Sequence, residues 1–87
     1  MLCWWCEFGE NEVNSLGYDF ISGNKNKEAE AVFKKNTELF PLSWNTYDSY
    51  GEILLKNGKK TEAIKMYQKS IELNPENENG INVLKQI

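Results

Sequence analysis

Bulky apolar residues recur along this chain with the spacing of helices. They return at intervals of three and four positions, first as Val13, Leu16 and Phe20 and later as Tyr47, Tyr50 and Leu54. This spacing places them on one face of a helix, whereas a strand would need strict alternation. The pattern predicts an all-α protein with no strand.

Glycine, asparagine and proline mark the ends of these helices. Gly23-Asn24 and Asn57-Gly58 can end a helix in the left-handed conformation. Pro41 and Pro75 prevent the second helix of each hairpin, which precedes them, from continuing. The four marks predict two helical hairpins whose helices have roughly 12 to 14 residues each.

The start of the third helix has a local signature of its own. Ser43 is a residue type that caps helices, and the apolar Leu42 precedes it. Tyr47 stands at the fourth helical position, where it can pack on the residue before the cap. We therefore predict a hydrophobic staple between Leu42 and Tyr47.

The chain repeats itself at an offset of 34 residues. The matched pairs are Asn11 and Asn45, Ser15 and Ser49, Gly17 and Gly51, Glu28 and Glu62, Ala29 and Ala63, Glu38 and Glu72, Leu39 and Leu73, and Pro41 and Pro75. A fixed period of this length is the signature of stacked supersecondary units. Each unit corresponds to one hairpin.

Small and large residues occupy complementary positions in the two hairpins. Gly17 and Gly51 remove a side chain from the first helix, which allows the second helix to approach closely. Phe33 and Tyr67 stand one helical turn after the paired alanines of the second helices and can fill the space between helices. The pattern predicts interlocking hairpins.

The period and its signature residues resemble the tetratricopeptide repeat. Repeats of this family carry, in order along the chain, tryptophan, leucine-glycine, tyrosine, alanine, phenylalanine and proline. The resemblance implies an α-solenoid of two antiparallel helical hairpins and a C-terminal capping helix. It divides the chain into a non-repeat segment (residues 1–9), a first repeat (10–43), a second repeat (44–77) and the capping helix (78–87).

Composition argues against several functions. The net charge is −3, and the ten basic residues, all lysine, are scattered among glutamates, so we expect no nucleic-acid partner. The chain has no histidine, the side chain that most often transfers protons or binds metals. We expect no enzymatic activity, no catalytic residue, no metal and no cofactor.

The amino-terminal segment holds Cys3-Trp4-Trp5-Cys6, a spacing that occurs in zinc sites and redox dithiols. Neither role has the further ligands or the strand setting that it needs, so we favour a structural or incidental role. The aromatic residues could cover the first helix, and exposed repeat ends predict a homodimer or a domain-swapped form in which the closing helix, residues 76–87, docks on a neighbour. The apolar run is too short to cross a membrane, which indicates a cytoplasmic protein with no membrane partner.

A narrower resemblance extends over residues 10–87. The stretch from Pro41 to Glu52, which reads PLSWNTYDSYGE, and the run Asn74-Pro75-Glu76-Asn77 are similar to the tetratricopeptide-like tail of certain bacterial serine hydrolases. Those enzymes carry their catalytic residues in a separate domain, so no hydrolase residue is transferred to this chain. The resemblance concerns ancestry and context.

The tetratricopeptide resemblance also implies a binding groove along the first helices. The candidate groove residues are Asn11, Asn14, Tyr18, Asn45, Asp48, Glu52 and Asn79. The asparagines at 11, 45 and 79 could form a polar ladder for a peptide backbone, or they could simply lie near helix starts as capping residues. Members that clamp a terminal carboxylate use lysine, asparagine and arginine on their inner helices, and that docking function is not supported here, where the corresponding positions are Asn14, Tyr18, Ser49, Asn79 and Val83.

Two functions follow from the sequence. The first is a non-catalytic helical-repeat module for protein–protein interaction or docking, with a protein or peptide partner. The alternative is a truncated C-terminal tail of a serine hydrolase that has no independent activity.

Overall fold

The computed structural model describes residues 9–87 and contains helices and turns, with no strand among these residues. The helices are α1 (Glu10–Ser22), α2 (Asn26–Leu39), α3 (Trp44–Lys56), α4 (Lys60–Leu73) and α5 (Glu78–Gln86). The first four have 13, 14, 13 and 14 residues. The all-α prediction and the predicted helix lengths are confirmed.

Each helix packs mainly on the next one in the chain. The pairs α1–α2 and α3–α4 form hairpins, α2 packs on α3 to join the hairpins, and α4 packs on α5. Helices α1 and α3 also touch. Because short turns join antiparallel neighbours, this order produces two stacked hairpins closed by a single helix, as predicted.

The turns inside the two hairpins have the same geometry. Asn24 has a φ of 60° and Gly58 a φ of 80°, and both lie in the left-handed region. The amide of Lys25 donates to the carbonyl of Phe20, and the amide of Lys59 donates to the carbonyl of Leu54, both at 2.8 Å. These bonds satisfy the last helical carbonyls in the manner of a Schellman motif, as the turn residues predict.

An aromatic ring lies directly on a glycine in each hairpin. A Cβ atom placed on Gly17 would lie 2.5 Å from Cζ of Phe33, and one on Gly51 would lie 2.9 Å from Cε2 of Tyr67. Both distances are shorter than any normal carbon contact. Phe33 and Tyr67 are 0% and 1% exposed. The predicted interlocking of glycine and aromatic residue is therefore present in both hairpins.

The second helix of each hairpin also holds the start of its first helix. Nδ2 of Asn36 donates to the carbonyl of Glu10 at 3.3 Å. At the equivalent positions of the second hairpin, Oγ of Ser70 donates to the carbonyl of Trp44 at 2.9 Å. Both side chains are fully buried, so each bond satisfies a polar group that water does not reach.

The predicted staple at the start of α3 is wrong. Leu42 is 83% exposed and therefore does not pack on Tyr47. The tyrosine hydroxyl instead donates to the carbonyl of Pro41 at 2.9 Å. The side chain of Ser43 makes no capping bond. The proline turn before the helix directs Leu42 into solvent. Residue types alone do not predict the direction of a side chain in such a turn.

Predictions for the amino-terminal segment fall almost entirely on residues outside the described part of the chain. These include the roles of Cys3 and Cys6 and the covering of α1 by Trp4, Trp5 and Phe8. The homodimer and the division into a leading segment, two repeats and a capping helix stay predictions. Among residues 9–87, no helix is long and apolar enough to cross a membrane.

Candidate partner-binding groove

An open groove runs along the first helices of the hairpins and reaches the closing helix. It has a volume of about 570 Å³, and its lining comes from α1, α3, α4 and α5: Tyr18, Ile21, Glu52, Leu55, Lys56, Tyr67, Asn79 and Val83. Aliphatic and tyrosine side chains supply most of its surface, and a few polar groups converge on it. Binding sites for peptides and small ligands commonly have this composition.

The structure brings four of the seven predicted site residues together. Tyr18, Glu52 and Asn79 line the groove. Asp48 joins them through a hydrogen bond in which Nδ2 of Asn79 donates to its Oδ1 at 3.1 Å. The hydroxyl of Tyr18 donates to Oε2 of Glu52 at 3.2 Å. These bonds connect α1 with α3 and α3 with α5, so each crosses between helices of successive units.

The other three predicted residues lie outside the groove lining. Asn11 is exposed, Asn45 donates to Oε1 of Glu10 at 3.3 Å, and Asn14 has a buried side-chain oxygen without a partner among the described residues. Asn11, Asn45 and Asn79 thus have three different environments. The capping residue of α5 is Asn77, whose side chain accepts from the amide of Gly80.

The carboxylates of the groove lie on one face of α3. Asp48 and Glu52 are four residues apart, a separation that places their side chains next to each other on a helix. Each accepts a hydrogen bond from a neutral group, Asn79 or Tyr18. The only ion pair among the described residues joins Lys59 and Glu30, so neither groove carboxylate has a cation in contact. Within residues 9–87, Lys56 is the one cation of the groove lining, so Asp48 and Glu52 together outnumber its ammonium group by two to one.

Burial and neighbouring charge alter the acidity of these groups. Burial raises the pKa of Asp48, and the charge of Glu52 adds to this effect, while the hydrogen bond from Asn79 partly opposes it. Burial and the charge of Glu52 also raise the pKa of Tyr18. At neutral pH the tyrosine hydroxyl is therefore a donor, and the ionised Asp48 is less favourable in the folded protein than in water.

Asp48→Asn should not destabilise the protein at neutral pH. The folded pKa of Asp48 lies above its ordinary value of 3.8, so stability falls as pH rises from that value through the raised pKa. The substitution removes this loss and the repulsion from Glu52, which for neighbouring like charges on a helix is about 0.2 to 0.5 kcal/mol. Thermal unfolding across a pH series should show an equal or higher midpoint for the variant at neutral pH, and the difference should shrink as pH falls through the raised pKa toward 3.8. A variant that is less stable throughout would contradict this assignment.

The hairpin of α3 and α4, which supplies four of the eight groove-lining residues, is similar to a known family. Residues 45–77 match the family model of the tetratricopeptide repeat. The chain carries a tetratricopeptide repeat. No curated protein matches the chain. The predicted repeat is thus confirmed, whereas the resemblance to the tail of serine hydrolases stays a prediction.

Several groove residues in α1, α3, α4 and α5 were not among the candidates predicted from the sequence. Ile21, Leu55 and Val83 give the groove its apolar surface, and Tyr67 reaches it from the second helix of the matched repeat. Ile21 and Leu55 were indistinguishable from core residues in the sequence, whereas Val83 corresponded only to a position of the carboxylate clamp. A comparison of the two hairpins could have identified Tyr67, because the equivalent residue of the first hairpin is Phe33, which fills the same position without a hydroxyl.

A second, smaller pocket lies where the turn of the tetratricopeptide repeat meets α2. It has a volume of about 390 Å³ and is lined by Lys27, Glu30, Asn57 and Lys59. Nδ2 of Asn57 donates to Oε1 of Glu30 at 2.9 Å, and Nζ of Lys59 lies 2.8 Å from Oε2 of the same carboxylate. Burial acts to raise the pKa of Glu30, but these two bonds and the lysine charge outweigh it and lower the pKa. The pocket is an internal bridge between hairpins.

Metal chemistry has no obvious place in the described part of the chain. Residues 9–87 contain no group of three or more histidine, cysteine, aspartate or glutamate side chains arranged to hold an ion. The polar groups of the groove are two carboxylates, two phenols, an amide and one ammonium group. Such groups are suited to hydrogen bonding and to charge recognition.

Proposed function

We propose that this chain is a non-catalytic helical-repeat module that binds a segment of a partner protein in the groove along α1, α3 and α5. Tetratricopeptide repeats generally mediate interactions between proteins, which supports this role for the matched hairpin. The observation that carries the proposal is the groove itself, which combines apolar walls with converging polar side chains. We further propose a cytoplasmic protein without a nucleic-acid or membrane partner.

The groove side chains are held in place before any partner binds. Tyr18 is tied to Glu52 and packs edge-on against Phe33, with ring centroids 5.2 Å apart and an interplanar angle of 73°. Asn79 is tied to Asp48. Side chains that are already ordered lose less conformational entropy on binding, so a modest contact area can still give measurable affinity.

A selection from random peptides tests the proposal and requires no identified partner. A display library of random dodecapeptides is selected on the immobilised protein, and the affinity of selected peptides is measured by fluorescence polarisation. Val83→Arg, which places a long side chain in the groove, should weaken binding about tenfold or more because it fills the space that the peptide needs. Circular dichroism shows whether the variant keeps its helices.

Leu42→Arg is the matched control for this experiment. It makes the same apolar-to-arginine change at a residue that is 83% exposed and does not line the groove. We expect its affinity for the selected peptides to equal that of the unmodified protein. Equal weakening by both arginines would contradict the groove proposal. A library that yields no binder would instead favour a hydrolase tail without independent activity.

A further inference from the structure

Among residues 9–87, the groove has one carboxylate in its lining, Glu52, and a second carboxylate, Asp48, is joined to the lining through Asn79. Asp48 and Glu52 lie on adjacent turns of α3, and like charges at this separation disfavour a helix. Lys56 lines the same groove, but it forms no ion pair with either carboxylate within the described residues. This pair of carboxylates destabilises the free protein. Its presence is explained if the partner brings a cation that pairs with it.

Tyr67 provides an independent observation at the same place. Its side chain is 1% exposed, it lines the groove, and its hydroxyl makes no hydrogen bond to any described residue. Burial raises its pKa, and the negative charges of Asp48 and Glu52 raise it further, so the phenol lies within the field of both carboxylates. The only fully buried side-chain oxygens without a partner in the described residues are those of Asn14 and Asn36, so the hydroxyl of Tyr67 reaches the groove surface, where water or a ligand can bind it.

Packing does not require that hydroxyl. Phe33 occupies the equivalent position of the first hairpin, is 0% exposed and covers Gly17 as Tyr67 covers Gly51. The ring alone therefore fills the space between helices. The extra oxygen of Tyr67 is directed to the groove, where it is available to a ligand as donor or acceptor.

We propose that the groove recognises a lysine or arginine side chain of the partner, which contacts the carboxylates of Asp48 and Glu52 and the hydroxyl of Tyr67. This inference rests on the proposed function and specifies the chemistry of its partner. The aliphatic surface of Ile21, Leu55 and Val83 suits the methylene stem of the cation and an apolar residue beside it. The preferred partner segment is basic and apolar, and an acidic segment is repelled.

The sequences of peptides from the random library give the first readout. Lysine or arginine should be enriched at one position, next to an apolar residue. The double variant Asp48→Asn, Glu52→Gln keeps side-chain shape and removes both charges, and we expect it to bind the selected peptides about tenfold or more weakly. Binding to the unmodified protein should also weaken as salt is raised.

The control variant Glu28→Gln, Glu62→Gln removes the same charge from two exposed positions on the second helices. It should keep the affinity of the unmodified protein, since these positions do not line the groove. Equal weakening by both double variants would show a general attraction between an acidic protein and basic peptides, and would overturn the proposal.

Tyr67→Phe isolates the role of the hydroxyl. The variant reproduces the residue of the first hairpin and should keep the unfolding temperature, because the ring fills the same space and no hydrogen bond to a described residue is lost. Its affinity for the selected peptides should nevertheless fall severalfold. Unchanged affinity with unchanged folding would overturn the assignment of the hydroxyl to the ligand.

The remaining outcomes separate this inference from the proposed function. Peptides that Val83→Arg blocks but that carry no enriched cation, or carry an acidic residue, overturn the inference and leave the groove proposal standing. A library without binders overturns both. A dimer in light scattering that Val83→Arg dissociates would show that a second copy occupies the groove, and it would also overturn the inference.

Discussion

Phe33→Ala should lower the free energy of unfolding by about 3 to 5 kcal/mol, the usual cost of deleting a buried aromatic ring. The ring is fully buried in a core cluster with Ala29 and Ile53, on which Phe20, Ile21 and Tyr50 also pack. A chain of this size has a small stability margin, so the variant should be largely unfolded at room temperature.

Urea denaturation followed by far-ultraviolet circular dichroism measures this effect. Leu42→Ala is the control, because Leu42 is 83% exposed and its truncation should change stability by no more than about 0.5 kcal/mol. Similar denaturation midpoints for the two variants would contradict the placement of Phe33 between the hairpins.

Gly17→Leu and Gly51→Leu should each cost about 1 to 3 kcal/mol or more, because the new side chain overlaps an aromatic ring that cannot move. Even the Cβ atom would lie 2.5 Å from the ring of Phe33 or 2.9 Å from that of Tyr67. Helix propensity alone predicts the opposite sign, since leucine favours a helix by roughly 0.8 kcal/mol relative to glycine. The shorter distance makes Gly17 the more sensitive position.

Gly23→Leu is the matched control for these two substitutions. A Cβ atom on Gly23 meets nothing closer than 3.7 Å, and the residue has a φ of −88°, which leucine readily adopts. We expect this variant to unfold at nearly the same temperature as the unmodified protein. A gain in stability at Gly17 or Gly51 would show that the aromatic rings do not lie on the glycines.

Much of this fold was predictable because it depends on local chemistry repeated twice. Asn24 and Gly58 are residue types that tolerate a positive φ, and both turns use them in that way. The glycine and aromatic pairs are related by the same offset in both hairpins, so their packing could be inferred from the period. The position of a helix boundary depends only on the neighbouring turn. The packing of a ring on a glycine depends only on the facing helix.

The groove was less predictable because it depends on the displacement between successive hairpins. Tyr18 reaches Glu52, its equivalent one period later, only because α1 and α3 lie side by side at a particular rotation. The same rotation leaves Asn11 exposed and brings Asn79 to Asp48. The spacing of residues within one helix does not determine how two helices are rotated relative to each other. The exposed position of Leu42 escaped prediction for another reason, because the proline turn before α3 sets the direction of that side chain.

Stability and binding make opposite demands on Asp48. Burial and the neighbouring Glu52 raise its pKa, so its charge weakens the fold at neutral pH. The bridge of Lys59 and Asn57 to Glu30 has the reverse effect, because a lowered carboxyl pKa stabilises the fold above the ordinary value of 4.5 and the gain is lost in acid. A destabilising carboxylate in the groove is expected where a partner supplies the missing positive charge.

The location of a bound peptide tests the central claim most directly. Amide chemical shifts are recorded by heteronuclear magnetic resonance while a library-selected peptide is added to the full chain. We expect the largest changes at the groove positions Ile21, Leu55 and Val83. Changes concentrated at Glu30 and Lys59, with the groove amides unaffected, would place the partner at the other pocket and contradict the groove proposal.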